Sequence, residues 1–399
     1  MTPGPGIART LLPIGFSCSG VNCGVRRYRP DLGIIISEQD AVGVAMFTQS
    51  ECKAAPVKYS QGLVPSSHIR AIITNSGQAN AATGKDGVEN NWKMAVAAAK
   101  SVGCHAHQIL TASTGVIGVQ LAVENVVDTI PELVTRAADH AEPFALAILT
   151  TDLVPKTVTT TVALSGGDVR ITGICKGSGM IHPNMATMLG YLLTDAKISL
   201  DVANTMLKEA VNLSFNMISV DGDTSTNDTV FMLANGMSGV ALANDEDYYK
   251  FKTALNDVAK VLAQSIARDG EGSTKLIEVT LKGAPDIKLA RSAARGVTTS
   301  PLIKTAIHGE DPNWGRVLAK LGAEKIPESC LDKMTLEIQG TKLFEKGAPV
   351  PFNRGQLSLL LKQDTVRIEI DFFSGDAEAT AWGCDLSKKY VDINAEYST

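Results

Sequence analysis

The stretch 176–195, with the sequence KGSGMIHPNMATMLGYLLTD, contains a hydroxyl residue in a setting that suggests chemistry. Ala186 precedes Thr187, a loop rich in glycine and containing a proline comes before them, and an apolar run follows. A threonine hydroxyl is a weak nucleophile unless a base lies beside it. An N-terminal threonine supplies that base itself, because a free α-amine has a pKa of roughly 7.7–8.0. The stretch therefore predicts that the protein cuts its own Ala186–Thr187 bond and frees Thr187 as an N-terminal nucleophile.

The residues before this bond are suited to a bent and reactive peptide. Gly177 and Gly179 allow backbone conformations that other residues avoid, and Pro183 stiffens the approach to the bond. Short motifs often occur by chance. A loop that leads into a buried strand or helix, with Thr187 packed or capping, therefore remains an alternative. His182 is a second candidate base for Thr187, because spacing alone does not exclude it.

Ser113, Thr114 and Gly115 end a predicted strand at 108–113. Hydroxyl and backbone N–H groups at the end of a strand can form an oxyanion hole, because they direct fixed donors at developing negative charge. A simple turn is the plainer interpretation of these three residues alone.

The loop 221–229, DGDTSTNDT, has the acidic spacing of a calcium loop but fails the pattern in two places. Thr226 stands where the pattern requires glycine, and Met232 stands where a glutamate should close the loop. We therefore predict a polar active-site loop or a hydrogen-bonded turn.

Other site types fit less well. Ser178 lies between two glycines, but Lys176 stands where a nucleophile elbow needs its first glycine. A phosphate-binding loop fails as well, because Lys176 precedes the glycines instead of following them. Cys104, His105 and His107 have no second ligand cluster nearby in sequence, so no metal site is predicted.

Composition places the chain among ordinary globular proteins. Its 399 residues suit two or three domains, and 44% of them are hydrophobic and 20% charged. The net charge of -5 does not indicate a nucleic-acid partner. No apolar run approaches the roughly 18 residues of a membrane span, and no secretory h-region is visible. Seven cysteines without a CxxC pair suggest free thiols, so we expect a cytoplasmic protein.

Strand and helix patterns alternate along most of the chain and must position these residues. Two strands with a turn at 38–40 are predicted within 31–48, and helices broken at Pro131 and Pro143 within 121–149. Alternating threonine and valine predict a strand at 156–164, and Asp201 is the predicted cap of a helix that reaches Leu213. Short strands beyond 285 predict a smaller C-terminal domain. The tail 394–399 has neither a helix pattern nor a strand pattern.

Taken together, the sequence blocks resemble the ornithine acetyltransferases of arginine biosynthesis. The resemblance rests on KGSGMIHPNMATML at the predicted cleavage site, ASTGVIG at 112–118, TTD at 150–152, DGDTSTNDT at 221–229, EGSTK at 271–275, SPLIKTAIHGEDPNWGR at 300–316 and NAEYST at 394–399. These blocks run in the family's order over nearly the full chain. A departure is GVRRYRPDL near the N-terminus, where arginines stand in place of an expected lysine.

The resemblance implies a mixed α/β (α+β) fold. This is a layered α-β-β-α sandwich of the ornithine acetyltransferase and DmpA-like type, with a smaller C-terminal α+β domain. Cleavage would leave an α chain, 1–186, and a β chain with two parts. The first part, 187–284, would carry the nucleophile, and the second, 285–399, would be the smaller domain with a substrate-contacting tail. Two α and two β chains would form a heterotetramer.

The resemblance also implies an activity, the transfer of acetyl from N2-acetyl-L-ornithine to L-glutamate through an acetyl-threonine ester. Thr114 and Gly115 would form the oxyanion hole. Substrate contacts are implied for Thr150, Lys176, Thr187, Glu271, Asn394 and Thr399. No cofactor is implied, and the sequence leaves open whether acetyl-CoA is a second acetyl donor.

Two other interpretations remain at this stage. An N-terminal-nucleophile aminopeptidase or amidase of similar architecture would pass the acyl group to water. A non-catalytic scaffold would never cleave.

Overall fold

The computed structural model describes residues 9–182 and 188–396. Its helices are α1 Ala55–Gln61, α2 Gly84–Val102, α3 Val123–Thr135, α4 Glu142–Ala147, α5 Leu200–Leu213, α6 Asp245–Arg268, α7 Ile287–Thr299, α8 Pro301–His308, α9 Gly315–Ala323, α10 Glu328–Leu331, α11 Arg354–Leu360 and α12 Lys388–Glu396. Its strands are β1 Phe16–Val21, β2 Leu32–Phe47, β3 Ser66–Gln78, β4 Ile109–Val116, β5 Lys156–Leu164, β6 Gly167–Lys176, β7 Leu189–Thr194, β8 Ile218–Ser219, β9 Thr229–Ala234, β10 Leu276–Ala284, β11 Thr335–Ile338, β12 Thr341–Glu345, β13 Ala348–Pro349, β14 Thr365–Asp371 and β15 Ala377–Cys384. Within these ranges, no helix is both long and apolar enough to cross a membrane.

The larger sheet is built around the long strand β2. Within the described ranges the sheet has eight strands in the order β4-β3-β2-β9-β7-β6-β5, with β1 also paired to β2. Residues 32–37 of β2 pair with β1, and residues 42–47 pair with β9. The predicted turn at 38–40 is wrong, because β2 continues through a register shift between Ile36 and Ala41. Residues 38–40 at the bend are exposed, and their polar side chains resemble those of a turn.

This sheet bends over itself and so forms two facing layers. The hydroxyl groups of Thr74 on β3 and Tyr191 on β7 form a hydrogen bond of 2.8 Å. In the sheet order, β2 and β9 lie between these two strands. Apolar side chains from both layers, among them Ile72, Leu110 and Phe231, form one buried core between them. The bend in β2 therefore produces a sandwich from a single sheet.

Helices cover both outer faces of the sandwich. The layer of β1, β3 and β4 packs against α2 and α3 through a core that includes Met94, Ala98 and Val126. The small alanines of α2 let the helix approach the strands closely. The other layer packs against α5 and α6. The layers therefore follow the order α-β-β-α, which confirms the predicted fold class.

A second sheet is attached through α6. Its seven strands within the described ranges follow the order β13-β12-β11-β14-β10-β15-β8. Helix α7 packs on β10 and β15, and α6 contacts β15 as well as β5 and β6. One apolar cluster runs from Leu192 on β7 through Leu262 on α6 to Val279 on β10. The second sheet and the sandwich therefore share a continuous core.

Three local predictions are wrong. Pro131 lies inside α3 and does not break it, since the buried Ile130 and Leu133 beside it anchor the helix in the core. Ser199, not Asp201, caps α5, because its side chain accepts from the backbone of the helix's first turn. Residues 394–396 of the tail belong to α12, a helix without any buried residue and hence without an apolar pattern to reveal it.

Candidate active site

A cavity of about 190 Å³ lies at the ends of β4 and β6, and α12 forms part of its wall. Among the residues lining it are six with a predicted site role: Thr114, Gly115, Thr150, Lys176, Glu271 and Asn394. These six come from five separate segments of the chain. The predicted Ala186, Thr187 and Thr399 lie outside the described residues. His182, the other candidate base, is not among the residues lining the cavity, and its Nδ1 lies 3.5 Å from Ser219 Oγ.

Gly115 stands where two strand backbones approach closely. Strands β3 and β4 run parallel and their register shifts at Gln78, opposite Thr114. Gly115 has a φ of +130°, and a side chain there would place its Cβ 2.3 Å from the carbonyl carbon of Gly77. Only glycine fits this position, which brings the backbone beside Thr114 to the cavity wall.

Lys176 orients the hydroxyl groups of two threonines. Its Nζ lies 2.8 Å from Thr150 Oγ1 and 3.4 Å from Thr114 Oγ1. An ammonium group only donates hydrogen bonds, so both hydroxyl oxygens accept from it. The O–H hydrogen of Thr114 is then free to donate to another group, as an oxyanion hole requires.

A buried carboxylate holds Lys176 and its neighbours together. Asp152 Oδ1 accepts from Lys156 Nζ at 2.8 Å and from the Gly177 amide at 2.7 Å. Its Oδ2 lies 3.8 Å from Lys176 Nζ. Lys156 also donates to Asp269 at 2.6 Å. The strand ends of β5 and β6 are thereby tied to one carboxyl group.

The buried charges of Asp152, Lys156 and Lys176 shift one another's pKa values. Burial opposes the negative charge of Asp152, but Lys176 and Lys156 outweigh it and hold the pKa of Asp152 below its ordinary range. Burial lowers the pKa of Lys176, and Asp152 opposes that effect. Asp152 is therefore the anionic partner that favours a charged Lys176 inside the protein.

One side of the cavity is acidic. Asp221, Asp223 and Glu271 all line it. Glu271 Oε2 accepts a hydrogen bond of 2.7 Å from Asn394 Nδ2 on α12. A side chain at Gly179 would place its Cβ 2.4 Å from the Glu271 carboxyl carbon, so this glycine makes room for the carboxylate. The cavity thus has a cationic end at Lys176 and an anionic side.

Several cavity residues had no individual prediction. Asp221, Asp223 and Asn227 come from the loop DGDTSTNDT, which was predicted as either an active-site loop or a hydrogen-bonded turn. The loop lines the cavity. It is also held by hydrogen bonds, because Asn227 Nδ2 donates to the carbonyl of Ser113 on β4 at 2.8 Å. Tyr390 also lines the cavity, and burial together with Asp221 raises its pKa. Its position on an unpredicted helix explains why the sequence did not reveal it.

Metal ligation finds no support in the part of the chain that the structure describes. No group of three or more histidine, cysteine, aspartate or glutamate side chains there could hold a metal ion. The rings of His105 and His107 stack on each other with their centroids 5.4 Å apart.

Comparison with known proteins identifies the family. The ArgJ family model matches residues 17–399. The arginine biosynthesis bifunctional protein ArgJ of Thermotoga neapolitana is 46% identical over 396 residues, which cover 98% of this chain and all of that protein. The protein of the same name from a Synechococcus strain is 44% identical, over 97% of this chain and 96% of its own.

A solved structure is also similar. The crystal structure of arginine biosynthesis bifunctional protein argJ from Bacillus halodurans is 39% identical, with a TM-score of 0.51. The match covers 53% of this chain and all of that chain. The family match over nearly the whole length confirms the resemblance inferred from the sequence blocks, and the chain belongs to the ArgJ family of arginine-biosynthesis enzymes.

Proposed function

We propose that this protein transfers the acetyl group of N2-acetyl-L-ornithine to L-glutamate, after cutting its own Ala186–Thr187 bond. The observation that carries the proposal is the cavity in which Thr114, Gly115, Thr150, Lys176 and the acidic side meet. Its volume of about 190 Å³ is below that of a site for drug-sized ligands and suits an acetylated amino acid.

The charges of the cavity suit the donor. N2-acetylornithine carries a carboxylate and, at the other end of the molecule, an ammonium group. Lys176 is suited to the carboxylate, since its ammonium is a point charge with hydrogen-bond donors in several directions. Glu271 is suited to the ammonium, and Asn394 and Thr399 would close the tail over this end. Thr150 would help to position the substrate beside Lys176.

The reaction would run in two displacements. Thr187 Oγ attacks the acetyl carbonyl carbon while the free amine of Thr187 takes the hydroxyl proton. The Thr114 hydroxyl and the Gly115 N–H stabilise the resulting oxyanion. Ornithine leaves with the proton from the amine, and an acetyl ester remains on Thr187. The glutamate amine then attacks that ester, which yields N-acetylglutamate and restores the hydroxyl.

Cleavage would give an α chain of 1–186 and a β chain of 187–399, in which 285–399 form most of the smaller domain and β8 and β10 complete its sheet. We also propose that two copies of each assemble and that the enzyme acts in the cytoplasm, as expected for a pathway enzyme without a membrane-spanning helix among its described residues.

A second acetyl donor is proposed from the names of the relatives. The Thermotoga neapolitana and Synechococcus proteins are both called bifunctional. A pocket of about 470 Å³ adjoins the cavity, and Thr151 and Glu271 line both, so a longer donor has room there. We propose that acetyl-CoA also acetylates the enzyme. Release of free CoA thiol in the presence of glutamate tests this.

The test of the main proposal combines mass and turnover. The denatured protein should give two fragments that meet between Ala186 and Thr187 instead of one species of 42.1 kDa. Ornithine release from acetylornithine should depend on glutamate and should match N-acetylglutamate formation one to one. Equal ornithine release without glutamate would indicate the rival hydrolase, and a permanently intact and inactive chain would indicate the scaffold.

A further inference from the structure

Arg26 reaches from a surface loop to the backbone of Thr150. It belongs to the segment GVRRYRPDL, in which arginines stand where the family resemblance predicts a lysine. Its Nη1 donates to the carbonyl oxygen of Leu149, and its Nη2 donates to the carbonyl oxygen of Thr150 at 3.2 Å. Arg26 is not among the residues lining the cavity, so it would act on the site through the groups that it holds.

A buried carboxylate fixes the backbone from which this side chain starts. Asp31 is fully buried, and its Oδ2 accepts from the Arg26 amide at 2.6 Å, while its Oδ1 accepts from the Cys23 amide at 2.6 Å. The Asp31 carbonyl also accepts from the Ser76 amide on β3 at 2.8 Å. The backbone of Arg26 is therefore tied to the end of β3, and its guanidinium group is tied to residues 149 and 150, which follow α4.

Thr150 is held at three of its polar groups. Its carbonyl accepts from Arg26, its amide donates to Asp152 Oδ2 at 3.0 Å, and its hydroxyl oxygen accepts from Lys176 Nζ at 2.8 Å. The same Lys176 Nζ lies 3.4 Å from Thr114 Oγ1. Two residues, Thr150 and Lys176, therefore connect Arg26 to the hydroxyl group that is proposed as an oxyanion donor.

The aliphatic part of Arg26 packs behind the other proposed donor, the Gly115 N–H. Gly77 has a φ of +99°, and a side chain there would place its Cβ 2.8 Å from Arg26 Cγ. Gly77 in turn lies against Gly115, where an added Cβ would be 2.3 Å from the Gly77 carbonyl carbon. Glycine at both positions lets the Arg26 side chain and the two strand backbones approach one another closely. Arg26 therefore supports the backbone on this side of the site as well.

We propose that Arg26 is a positioning residue for the oxyanion hole, an inference that rests on the proposed function. Its guanidinium group holds the Thr150 backbone and thereby the contact of Lys176 with Thr114. Its aliphatic part supports the backbone that carries the Gly115 N–H. Oxyanion donors stabilise the transition state only where they point at the developing charge. A displacement of about 1 Å can cost roughly 10²-fold in rate, so a residue outside the cavity can control the chemical step.

The two hydrogen bonds of Arg26 suit an arginine better than a lysine. Two successive carbonyl oxygens accept from two nitrogens of one planar guanidinium group, which fixes both oxygens at once. The ammonium of a lysine is a point charge on a flexible chain and would fix them less firmly. The competing interpretation is that Arg26 only stabilises the loop 22–31 and the fold around it.

The experiment measures single-turnover formation of the acetyl-enzyme from acetylornithine, counted per cut chain. Arg26→Met removes the guanidinium group but keeps an unbranched side chain against Gly77, and it should slow this step about tenfold to 10²-fold. The KM for acetylornithine should change less than about threefold, because Arg26 does not line the cavity. Arg70→Met is the matched control. Arg70 also donates to two successive carbonyl oxygens, those of Ser37 and Glu38, but it does so at the bend of β2, and this variant should keep the wild-type rate.

A double-mutant cycle with Thr114→Ala separates positioning from a general effect on the fold. If Arg26 acts through the Thr114 hydroxyl, Arg26→Met should slow the Thr114→Ala enzyme by a smaller factor than it slows wild type. An equal factor in both backgrounds would overturn the proposal. Arg26→Lys keeps one charged donor, so it should be slowed at least about threefold and should remain faster than Arg26→Met.

The outcomes separate this inference from the proposed function. A wild type that forms no acetyl-enzyme, or a Thr114→Ala enzyme with the wild-type rate, would contradict the proposed function itself. If Thr114→Ala is impaired and Arg26→Met has the wild-type rate, only the role of Arg26 is overturned. If Arg26→Met stays uncut or lacks a cooperative unfolding transition, Arg26→Lys decides, because a wild-type rate in that variant, or an equal factor in both backgrounds, overturns the role.

Discussion

Asn394 Nδ2 lies 2.7 Å from Glu271 Oε2, so the C-terminal helix α12 is joined to the acidic side of the cavity by a side-chain hydrogen bond. A second contact, from Ser387 Oγ to the Gly272 carbonyl at 2.6 Å, holds the other end of the same segment. Because α12 has no buried residue, it is held in place largely by these polar contacts and not by apolar packing. The position of Glu271 and that of the tail therefore depend on each other.

Asn394→Ala should raise the KM for acetylornithine about tenfold and change kcat little. A hydrogen bond to a charged group contributes about 1.5–3 kcal/mol, and this one orients the carboxylate proposed to bind the donor's ammonium. Steady-state kinetics with varied acetylornithine checks this prediction. The control is Val391→Ala, a change at an exposed position of the same helix. A tenfold loss of kcat at unchanged KM would contradict the proposed role.

Gly179→Ala should weaken the binding of acetylornithine although it adds only one methyl group. That methyl would lie within 2.5 Å of the Glu271 carboxyl atoms and would push the carboxylate away. We expect a KM increase for acetylornithine at least as large as that of Asn394→Ala. Gly322→Ala is the control, because a side chain there meets no atom within 4 Å and the residue lies in α9. A Gly179→Ala enzyme with the wild-type KM would show that the position of Glu271 is unimportant.

Thr187→Ala should abolish both self-cleavage and acetyl transfer. The substitution removes the hydroxyl that both reactions use, so the denatured chain should keep a single mass of 42.1 kDa. Turnover of acetylornithine by this variant would prove the nucleophile assignment wrong. Wild type purified in the same way shows whether cleavage occurs at all.

Thr114→Ala should slow acetyl transfer by roughly 10²–10³, the usual effect of losing one oxyanion donor. Single-turnover formation of the acetyl-enzyme measures that step directly. Thr111→Ala provides the control on the same strand, since Thr111 is also buried but lies next to Ser60. An unchanged rate for Thr114→Ala would mean that the residue only forms part of a turn.

Asp152→Asn should destabilise the protein by about 3–5 kcal/mol at pH 7, because it removes the partner of two buried lysines. The pKa of Asp152 is held below its ordinary value in the folded protein. Its contribution is therefore fully present above a pH of about 4, the pKa in the unfolded chain. It is lost as the pH falls further, since the unfolded chain then binds the proton more readily.

Urea unfolding of wild type and Asp152→Asn at several pH values tests this linkage. The difference in unfolding free energy should be constant from pH 7 to about 5 and should narrow below about pH 4. Glu89→Gln breaks the exposed pair with Lys93 and should cost less than about 1 kcal/mol. A difference that widens at low pH would contradict the shifted pKa of Asp152.

Local patterns predicted the regular elements well where one side of the element is buried. The alternation of threonine and valine gave β5 with its observed bounds, Lys156–Leu164. The bend in β2 could not be predicted in this way, because it depends on pairing with β1 at one end and β9 at the other. Helix α12 was missed because it has no apolar face.

The candidate site divides in a similar way. Sequence blocks of the family selected Thr114, Thr150, Lys176, Glu271 and Asn394, and the structure brings them around one cavity. The central role of Asp152 could not be seen in TTD at 150–152. It arises because Lys156 and Lys176, on neighbouring strands, both reach the same carboxyl group.

Strands β6 and β7 pair with each other along their length, from Ile171 opposite Thr194 to Lys176 opposite Leu189. A cut at Ala186–Thr187 would leave β6 on one fragment and β7 on the other, within the same sheet. The two fragments would then stay associated without any linking bond. Unfolding an uncut chain could be reversed by that chain alone, whereas refolding of the cut protein would require two molecules to meet and would depend on concentration. Self-cleavage would thus make assembly a one-way step. The intact chain can reach the fold by itself, and the active enzyme would form from it only after that fold exists.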